Sequence, residues 1–372
     1  MDAAARALEL AREVGFDLAG LAPLRPPRDA QHFADWLARG HHAGLAYLER
    51  DAGRILDPRL DAPRGRTLLV VGLAHSRPAL ALPGGARVAR YAAGRDYHNL
   101  LQKRLRKLRR ALQRENLIQP DDAARAGVDA VPLLERSHAA EAGLGFASKA
   151  ANLLHPTFGP WFFLGELVLD TELAPAQPQG PPPGSCGSCT ACLDACPTQA
   201  IVAPGRVDAG RCISYQTIEN RGPIPHELRA AVGSWAFGCD ICSEVCPWGA
   251  KAPDLGARFG LQPAFEHGVE RWIRWRDDAQ VTDALAGSPL QRAGRDGLAR
   301  NAAIVLGNAP TDTGESVLLE ALSFDASALV REAAAWALAT GYARRDAVLR
   351  ASAVETDPQA RAGMERTLSD GR

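Results

Sequence analysis

At 372 residues the chain has room for two or three domains of ordinary size, and its 46% hydrophobic and 23% charged residues are those of a soluble globular protein. The formal net charge is zero, so nothing global points to a nucleic-acid or membrane partner. No apolar run approaches the roughly 18 residues of a membrane span, which excludes a helical membrane protein.

The first 20 residues carry acidic side chains throughout and place Leu8, Leu10, Val14 and Leu18 at helical spacing. They read as an amphipathic surface helix and not as a signal peptide, which needs a basic start and a solid apolar stretch, so a cytoplasmic location is expected. Thr67–Ala74 is a near-continuous apolar run suited to a buried strand. Leu101, Leu105, Leu108 and Leu112 follow at spacings of 4, 3 and 4, an apolar helix stripe. Seven basic and no acidic residues lie between Lys103 and Arg114, and they read as the solvated face of that helix. Short strands are expected at Val128–Leu134 and Trp161–Leu169, completing an α+β (or α/β) domain over 1–173.

Residues 174–185 hold five prolines and two glycines, a composition that continues neither helix nor central strand and reads as a stiff linker. All eight cysteines follow within 186–246, and a cysteine-bearing domain is expected over 174–264. From 265 to 372 the pattern turns helical. Arg300–Asn308 is echoed 31 residues later by Arg331–Ala339, as in HEAT-type helical repeats that bury their faces on one another.

The cysteines form a full run, Cys186-x2-Cys189-x2-Cys192-x3-Cys196-Pro197, an isolated Cys212, and a truncated run, Cys239-x2-Cys242-x3-Cys246-Pro247. The first spacing is that of bacterial ferredoxins, in which three thiolates grip one [4Fe–4S] cluster and the fourth reaches another. Ala236 occupies the place of the second run's missing cysteine, and Cys212 is the one left to replace it. Counting then assigns Cys186, Cys189, Cys192 and Cys246 to one cluster, and Cys196, Cys212, Cys239 and Cys242 to the other. Disulfides and structural zinc are the alternatives. The first suits an exported chain, and the second does not need the x3-Cys-Pro endings. A two-cluster domain is an electron wire that needs a destination.

The sequence resembles the epoxyqueuosine reductases over nearly its whole length. The resemblance rests on Arg90-Tyr-Ala-Ala-Gly-Arg-Asp-Tyr-His98, Asp129-Ala-Val-Pro-Leu-Leu-Glu-Arg136, Ala142–Lys149, Trp161–Glu166, Cys212–Glu219 and Gly238–Trp248. It implies an N-terminal catalytic domain binding cobalamin, a ferredoxin-like domain with two [4Fe–4S] clusters, and a C-terminal all-α repeat domain. Electrons from an external low-potential donor would pass through the clusters to cobalamin, and epoxyqueuosine at the tRNA wobble position would become queuosine. The Asp-x-His-x-x-Gly signature of cobalamin-ligating proteins is absent, so no histidine ligand to cobalt is expected.

Within the resemblance Asp129 is the expected proton donor to the departing epoxide oxygen. Such a donor needs a pKa raised by an apolar pocket, for which Val128 and Ala130 to Leu134 are the candidates. Where the family often has Ser-Ala after this aspartate, the chain has Ala-Val. Ser214, Cys239 and Asp240 match family positions near cobalamin, as do Leu153 and Leu164. Lys149 suits an anion such as a cobalamin or RNA phosphate, with Ser148 replacing the family's usual glycine. Tyr97 and His98 would line the pocket or meet the substrate. Arg292, Arg295 and Arg300 are the expected RNA phosphate contacts. The protein is expected to act as a monomer. A small-molecule reductase akin to reductive dehalogenases shares the electron path but lacks the repeat tail. A plain electron-transfer module leaves the first 170 or so residues unexplained.

Overall fold

Thr67–Ala74 forms a strand whose eight residues are all buried, in a computed structural model that describes residues 2–122, 125–129, 131–173 and 184–370. Most of the expected linker, and Ala130, lie outside the described residues. The strand is the second in a four-stranded sheet made of β1 (Leu18–Pro23), β2 (Thr67–Ala74), β3 (Arg125–Gly127) and β4 (Phe162–Leu169). Spatial order is β1-β2-β4-β3, antiparallel throughout.

Helices cover both faces, which is why β2 has no polar alternation. Helices α1 (Ala3–Val14) and α2 (Tyr97–Arg114) pack together, and α2 lies on β4. The four leucines of the α2 stripe are fully buried. The helix comes so near the sheet that a Cβ on Gly165 would meet Leu105 Cδ1 at 3.3 Å. Neighbouring residues of a strand face opposite ways, so Leu164, Glu166 and Val168 look toward the other face. There Ala139 of α3 (Glu135–Glu141), with Ala142 and Leu144, packs on Leu68, Val70 and Val168.

Two expectations shift locally. Gly15, at φ 101°, ends α1, and Leu18 opens β1 instead of continuing the helix stripe. The strand expected over Val128–Leu134 stops at Gly127, because Asp129 takes a left-handed φ of 53° and α3 starts at Glu135.

The chain forms two compact units that interleave in sequence. The first holds Met1–Arg77, Asp96–Gly210 and Ile241–Phe259; the second holds Pro78–Arg95, Arg211–Asp240 and Gly260–Arg372. Three consecutive blocks (1–173, 174–264 and 265–372) therefore do not describe the packing, and the cysteine-bearing segment contributes to both units. In the second unit Trp235–Phe237 pairs in parallel with Arg87–Val88, a contact between distant parts of the chain. Helices α4 (Gly294–Asn308), α5 (Gly314–Phe324), α6 (Ala328–Gly341), α7 (Arg345–Val354) and α8 (Pro358–Ser369) follow. The echoed segments fall in α4 and α6, which pack on each other.

Two of the three arginines expected to meet RNA are part of this core. Arg295 is 5% exposed and ion-paired with Asp325, Nη1 to Oδ1 2.7 Å, while its Nε donates to Trp275 O. Arg300 is 1% exposed and donates to the carbonyls of Gln216, Asn220 and Gly222. Burial, and then the charges of Arg221 and Arg229, push its pKa down to about 10. Neither guanidinium can reach a phosphate. Arg292 stays exposed, with Glu219 accepting at 2.9 and 3.1 Å. Among the described residues no helix is long and apolar enough to cross a membrane.

Arg295→Ala would leave the buried Asp325 carboxylate without its cation. Losing one partner of a buried pair costs about 3–5 kcal/mol, so the urea midpoint should fall accordingly, while the RNA affinity of the folded variant stays that of the parent. A specific loss of RNA affinity at unchanged stability would restore Arg295 to the RNA surface.

Candidate active site

The site is built where the first turn of α2 meets the loop between β3 and α3. A Cβ on Gly127 would lie 2.3 Å from Val131 Cγ2, so only glycine lets the loop fold back this tightly. The tight return puts Asp129 in the left-handed region, an unfavourable conformation for a non-glycine residue and one that clusters at functional sites.

Asp96 caps α2, accepting from the His98 backbone N–H at 2.9 Å and lying 2.7 Å from His98 Nδ1. The other ring nitrogen, Nε2, is 3.3 Å from Asp129 Oδ2. Tyr97 donates its hydroxyl to the same oxygen. The Asp129 backbone N–H in turn donates to Glu135 Oε1 at 3.0 Å. Tyr97 is held by stacking on Phe163, with centroids 3.9 Å apart and planes 5° apart, and Phe163 stacks on His75.

These contacts set the electrostatics. Between two carboxylates the His98 imidazole gains affinity for its proton, and its pKa rises to about 9. For Asp129, burial pushes the carboxyl up, but the hydrogen bonds from His98 and Tyr97 outweigh it and leave the pKa below the usual 3.8. This reverses the expectation of a raised Asp129. The groups that touch it are polar (Tyr97, His98 and Glu135), while the apolar Val128 is buried. The raised carboxyl is Glu135, pushed to about 8 by burial and then by the charge of Asp129.

Asp129 opens into a cavity of about 210 Å³ lined by Tyr97, Glu135, Arg136, Asn152, Leu153, Pro160 and Phe162 to Leu164. Of the expected cofactor residues in the first unit, Leu153 and Leu164 are therefore brought to Asp129. A second cavity, of about 120 Å³, is lined by Cys186, Cys189, Cys192 and Cys246, and also by Cys242. The two cavities share Asn152 and Pro160 in their walls. Burial, and then the proximity of Cys186 and Cys246, push the Cys192 thiol up. Among the described residues no three His, Cys, Asp or Glu side chains gather as a single-ion site.

Lys149 spends two donors on the cysteine loop, to Gly187 O at 2.7 Å and Cys189 O at 2.9 Å, a clamping role its sequence context did not suggest. The Ser148 hydroxyl accepts from the Asn152 N–H at 3.0 Å, so the departure from glycine anchors the residue shared by both cavities. The Asn152 amide lies 3.2 Å from Ser243 Oγ and 4.0 Å from Cys242 Sγ. The Cys196 sulfur accepts from Ala200 N–H at 3.3 Å. In the second unit the Ser214 hydroxyl is 3.5 Å from Cys239 O, and Asp240 accepts from the Arg90 N–H at 2.7 Å. Asp96, Glu135, Asn152 and Glu166 were not singled out from the sequence. The signal for Glu166 was there, a lone carboxyl inside the apolar strand Phe162–Leu169.

Residues 185–249 match the family model described as a 4Fe-4S double cluster binding domain, and residues 56–130 match one described as Epoxyqueuosine reductase QueG, DUF1730. An epoxyqueuosine reductase of Xanthomonas campestris is 41% identical over 350 residues, covering 91% of this chain and 96% of that protein. One of Pseudomonas aeruginosa is 40% identical over 342 residues, covering 88% and 91%. A crystal structure of epoxyqueuosine reductase with an epoxyqueuosine-modified tRNA-Tyr stem loop superposes with a TM-score of 0.87 at 26% identity, covering 98% of this chain and 97% of that one. A Bacillus subtilis epoxyqueuosine reductase, solved with its catalytic aspartate loop swung out of the active site, gives 0.86 at 26% identity over the same shares.

The His98 shift carries a pH signature. Because the folded pKa lies above the ordinary 6.5, its stabilising contribution is complete below about pH 6.5 and is lost as pH rises through about 9. An NMR titration of the His98 ring should show a midpoint near 9 that falls in Asp96→Asn; a midpoint near 6.5 in the parent would reject the two-carboxylate arrangement.

Proposed function

The chain belongs to the epoxyqueuosine reductase family, and we propose that it reduces epoxyqueuosine in tRNA to queuosine. In this reaction both C–O bonds of the epoxide break, two electrons close the alkene, and the oxygen leaves as water with two protons. The observation that carries the reading is the shared wall. A pocket with a carboxylate–imidazolium pair abuts, through Asn152 and Pro160, a cavity ringed by cysteines. Proton delivery and electron delivery thus meet in one place.

The cysteine cavity fits an iron–sulfur cluster. The Cys192 thiol, pushed up by burial and then by Cys186 and Cys246, ionises more readily when a cationic cluster shares its charge. Cys186, Cys189, Cys192 and Cys246 are the proposed ligands of one [4Fe–4S] cluster. The cysteine spacing, together with the family model for a double cluster, supports Cys196, Cys212, Cys239 and Cys242 for the other.

Cobalamin, when bound, supplies a strongly reducing nucleophilic centre for the epoxide carbon. Leu153 and Leu164, in the wall of the Asp129 pocket, are the residues of the first unit proposed to hold it. Ser214, Cys239 and Asp240 are the residues of the second unit proposed to hold the same group.

Asp129 donates to the departing oxygen. At neutral pH the Asp129–His98 pair holds one proton, resting on the imidazole, and Nε2 is within reach of the carboxylate that passes it on. A bound nucleoside excludes water from the pocket and raises the carboxyl toward a donor's pKa. Tyr97 fixes the receiving oxygen. The relative crystallised with a modified tRNA stem loop supports an RNA substrate, whose wobble base must be extruded to reach the pocket. Arg292 is the exposed cation proposed to face phosphate. Helices α4–α8 are proposed to act as a HEAT-like repeat tail, in a cytoplasmic monomer served by an external low-potential donor.

Anaerobic protein with iron, cobalamin and a reductant should convert an epoxyqueuosine-modified stem loop to a product lighter by one oxygen. Asp129→Asn should keep the cluster and cobalamin absorption bands and lose turnover by about 10²–10⁴-fold. No conversion by the parent would reject the reading, and unchanged turnover by the variant would reject Asp129 as donor.

A further inference from the structure

The reduction consumes two protons, and the Asp129–His98 pair accounts for one. Behind Asp129 lies a carboxyl that the chemistry so far leaves unused. Glu166 sits in β4, opposite Val70 of β2 and Gly127 of β3, and it is 0% exposed. Its strand face is otherwise occupied by Leu164 and Val168, under Ala139 and Ala142. Among the described residues no amide, hydroxyl or cationic donor reaches either of its oxygens. The acidic groups acting on it are Glu135 and Asp129.

An isolated carboxylate in such a place is prohibitively costly. A carboxyl beside a carboxyl can form a hydrogen bond only if one of them is protonated. We propose that Glu135 and Glu166 form a proton-holding carboxyl pair that supplies the second proton of the reduction through Asp129. The inference rests on the proposed reaction, since it is the epoxide's oxygen that needs two protons.

The geometry gives the route. Glu135 lines the pocket and accepts from the Asp129 N–H, and Glu166 Oε2 lies 3.6 Å from where a Cβ on Gly127 would stand, at the base of the same loop. After Asp129 has given its proton to the departing oxygen, its carboxylate takes the proton of Glu135, and Glu135 takes that of Glu166. Asp129 then protonates the oxygen again and water leaves. The pair is left one proton short and refills through Glu135 once the pocket reopens to solvent. No redox change occurs in these transfers; the two electrons come from the cofactors.

The charged neighbours agree. Burial, and then the charges of Glu135 and Asp129, hold Glu166 well above the ordinary carboxyl range. Glu135, at about 8, is protonated at neutral pH even with Arg136 opposing the shift. His98 and Asp96 act on Asp129 from the first turn of α2. β2 presents apolar Val70 in register with Glu166.

The test uses the holoenzyme with the modified stem loop and excess reductant, comparing the parent with Glu135→Gln and Glu166→Gln. Glutamine keeps an oxygen to accept from the Asp129 N–H, so E135Q preserves the loop and removes only the labile proton. Each variant should keep the parent KM for RNA and lose roughly tenfold or more in kcat. The parent's kcat should decline as pH rises through about 8, where the store empties, and this limb should vanish in E135Q. Independently of turnover, the infrared carbonyl band of protonated carboxylic acid should be present in the parent and weaker in each variant. Parent kcat and pH profile in both variants would overturn the proposal, as would absence of that band in the parent. Should E166Q fail to fold, E135Q decides. A parent that binds both cofactors yet leaves the stem loop unchanged counts against the proposed reaction, and the infrared band still decides the carboxyl pair.

Discussion

The return of the chain over Gly127 is the constraint on which the pocket depends. Val131 occupies the volume that a Cβ would need, and the turn this forces leaves Asp129 with a positive φ. That conformation costs of order 1–3 kcal/mol and persists because both ends of the residue are tied. Its N–H is held by Glu135 and its carboxylate by Tyr97 and His98. A loop held by few polar contacts against a local strain is one that can open.

Tertiary packing distributes acidity in a way that distance along the chain does not. Asp129 and Glu135 are six residues apart and are shifted in opposite directions. The first has cationic and hydroxyl donors within hydrogen-bond reach, while at the second burial and the charge of Asp129 outweigh the opposing Arg136. Asp96 completes the contrast as a helix cap that also holds His98, and the hydrogen bond to that ring keeps its carboxyl low. Four carboxyls thus divide into two that stay ionised beside a histidine and two that stay neutral behind them. Separating the pKa values of neighbouring acids in this way is how a site assigns donor and acceptor roles at a single pH.

Period and spacing made the scaffold legible. Four leucines at helical intervals became the buried stripe of α2, and eight apolar residues became β2. Cysteine spacing anticipated four of the residues around one cavity, because close ligands on a tight loop depend little on the rest of the fold. Where long-range contacts decide, the sequence was a poorer guide. Val128–Leu134 is apolar enough for a strand, yet Val131 packs over Gly127 and ends it. Arg295 and Arg300 have the composition of an RNA surface but serve the core, because carbonyls of residues 216–222 and 275 and the Asp325 carboxylate happen to face them. Interleaving of the two units rests on pairings such as Trp235 with Arg87, which no local pattern announces.

Asn152 shows why the electron side and the proton side can be close without interfering. Its backbone N–H is fixed by the Ser148 hydroxyl, and its amide points to Ser243 and the Cys242 sulfur. The same residue lines the Asp129 pocket. A neutral amide is suited to this position. It can donate to a thiolate, stabilising negative charge on sulfur, yet it has no proton to lose and no charge to add beside Asp129. A carboxylate there would repel the Cys242 sulfur when it is ionised and add to the acids around Asp129, while a lysine would compete with His98 for the Asp129 carboxylate. Keeping the shared wall neutral lets the thiolates and the carboxyls each be set by their own neighbours, which is what a reaction consuming electrons and protons in equal number requires.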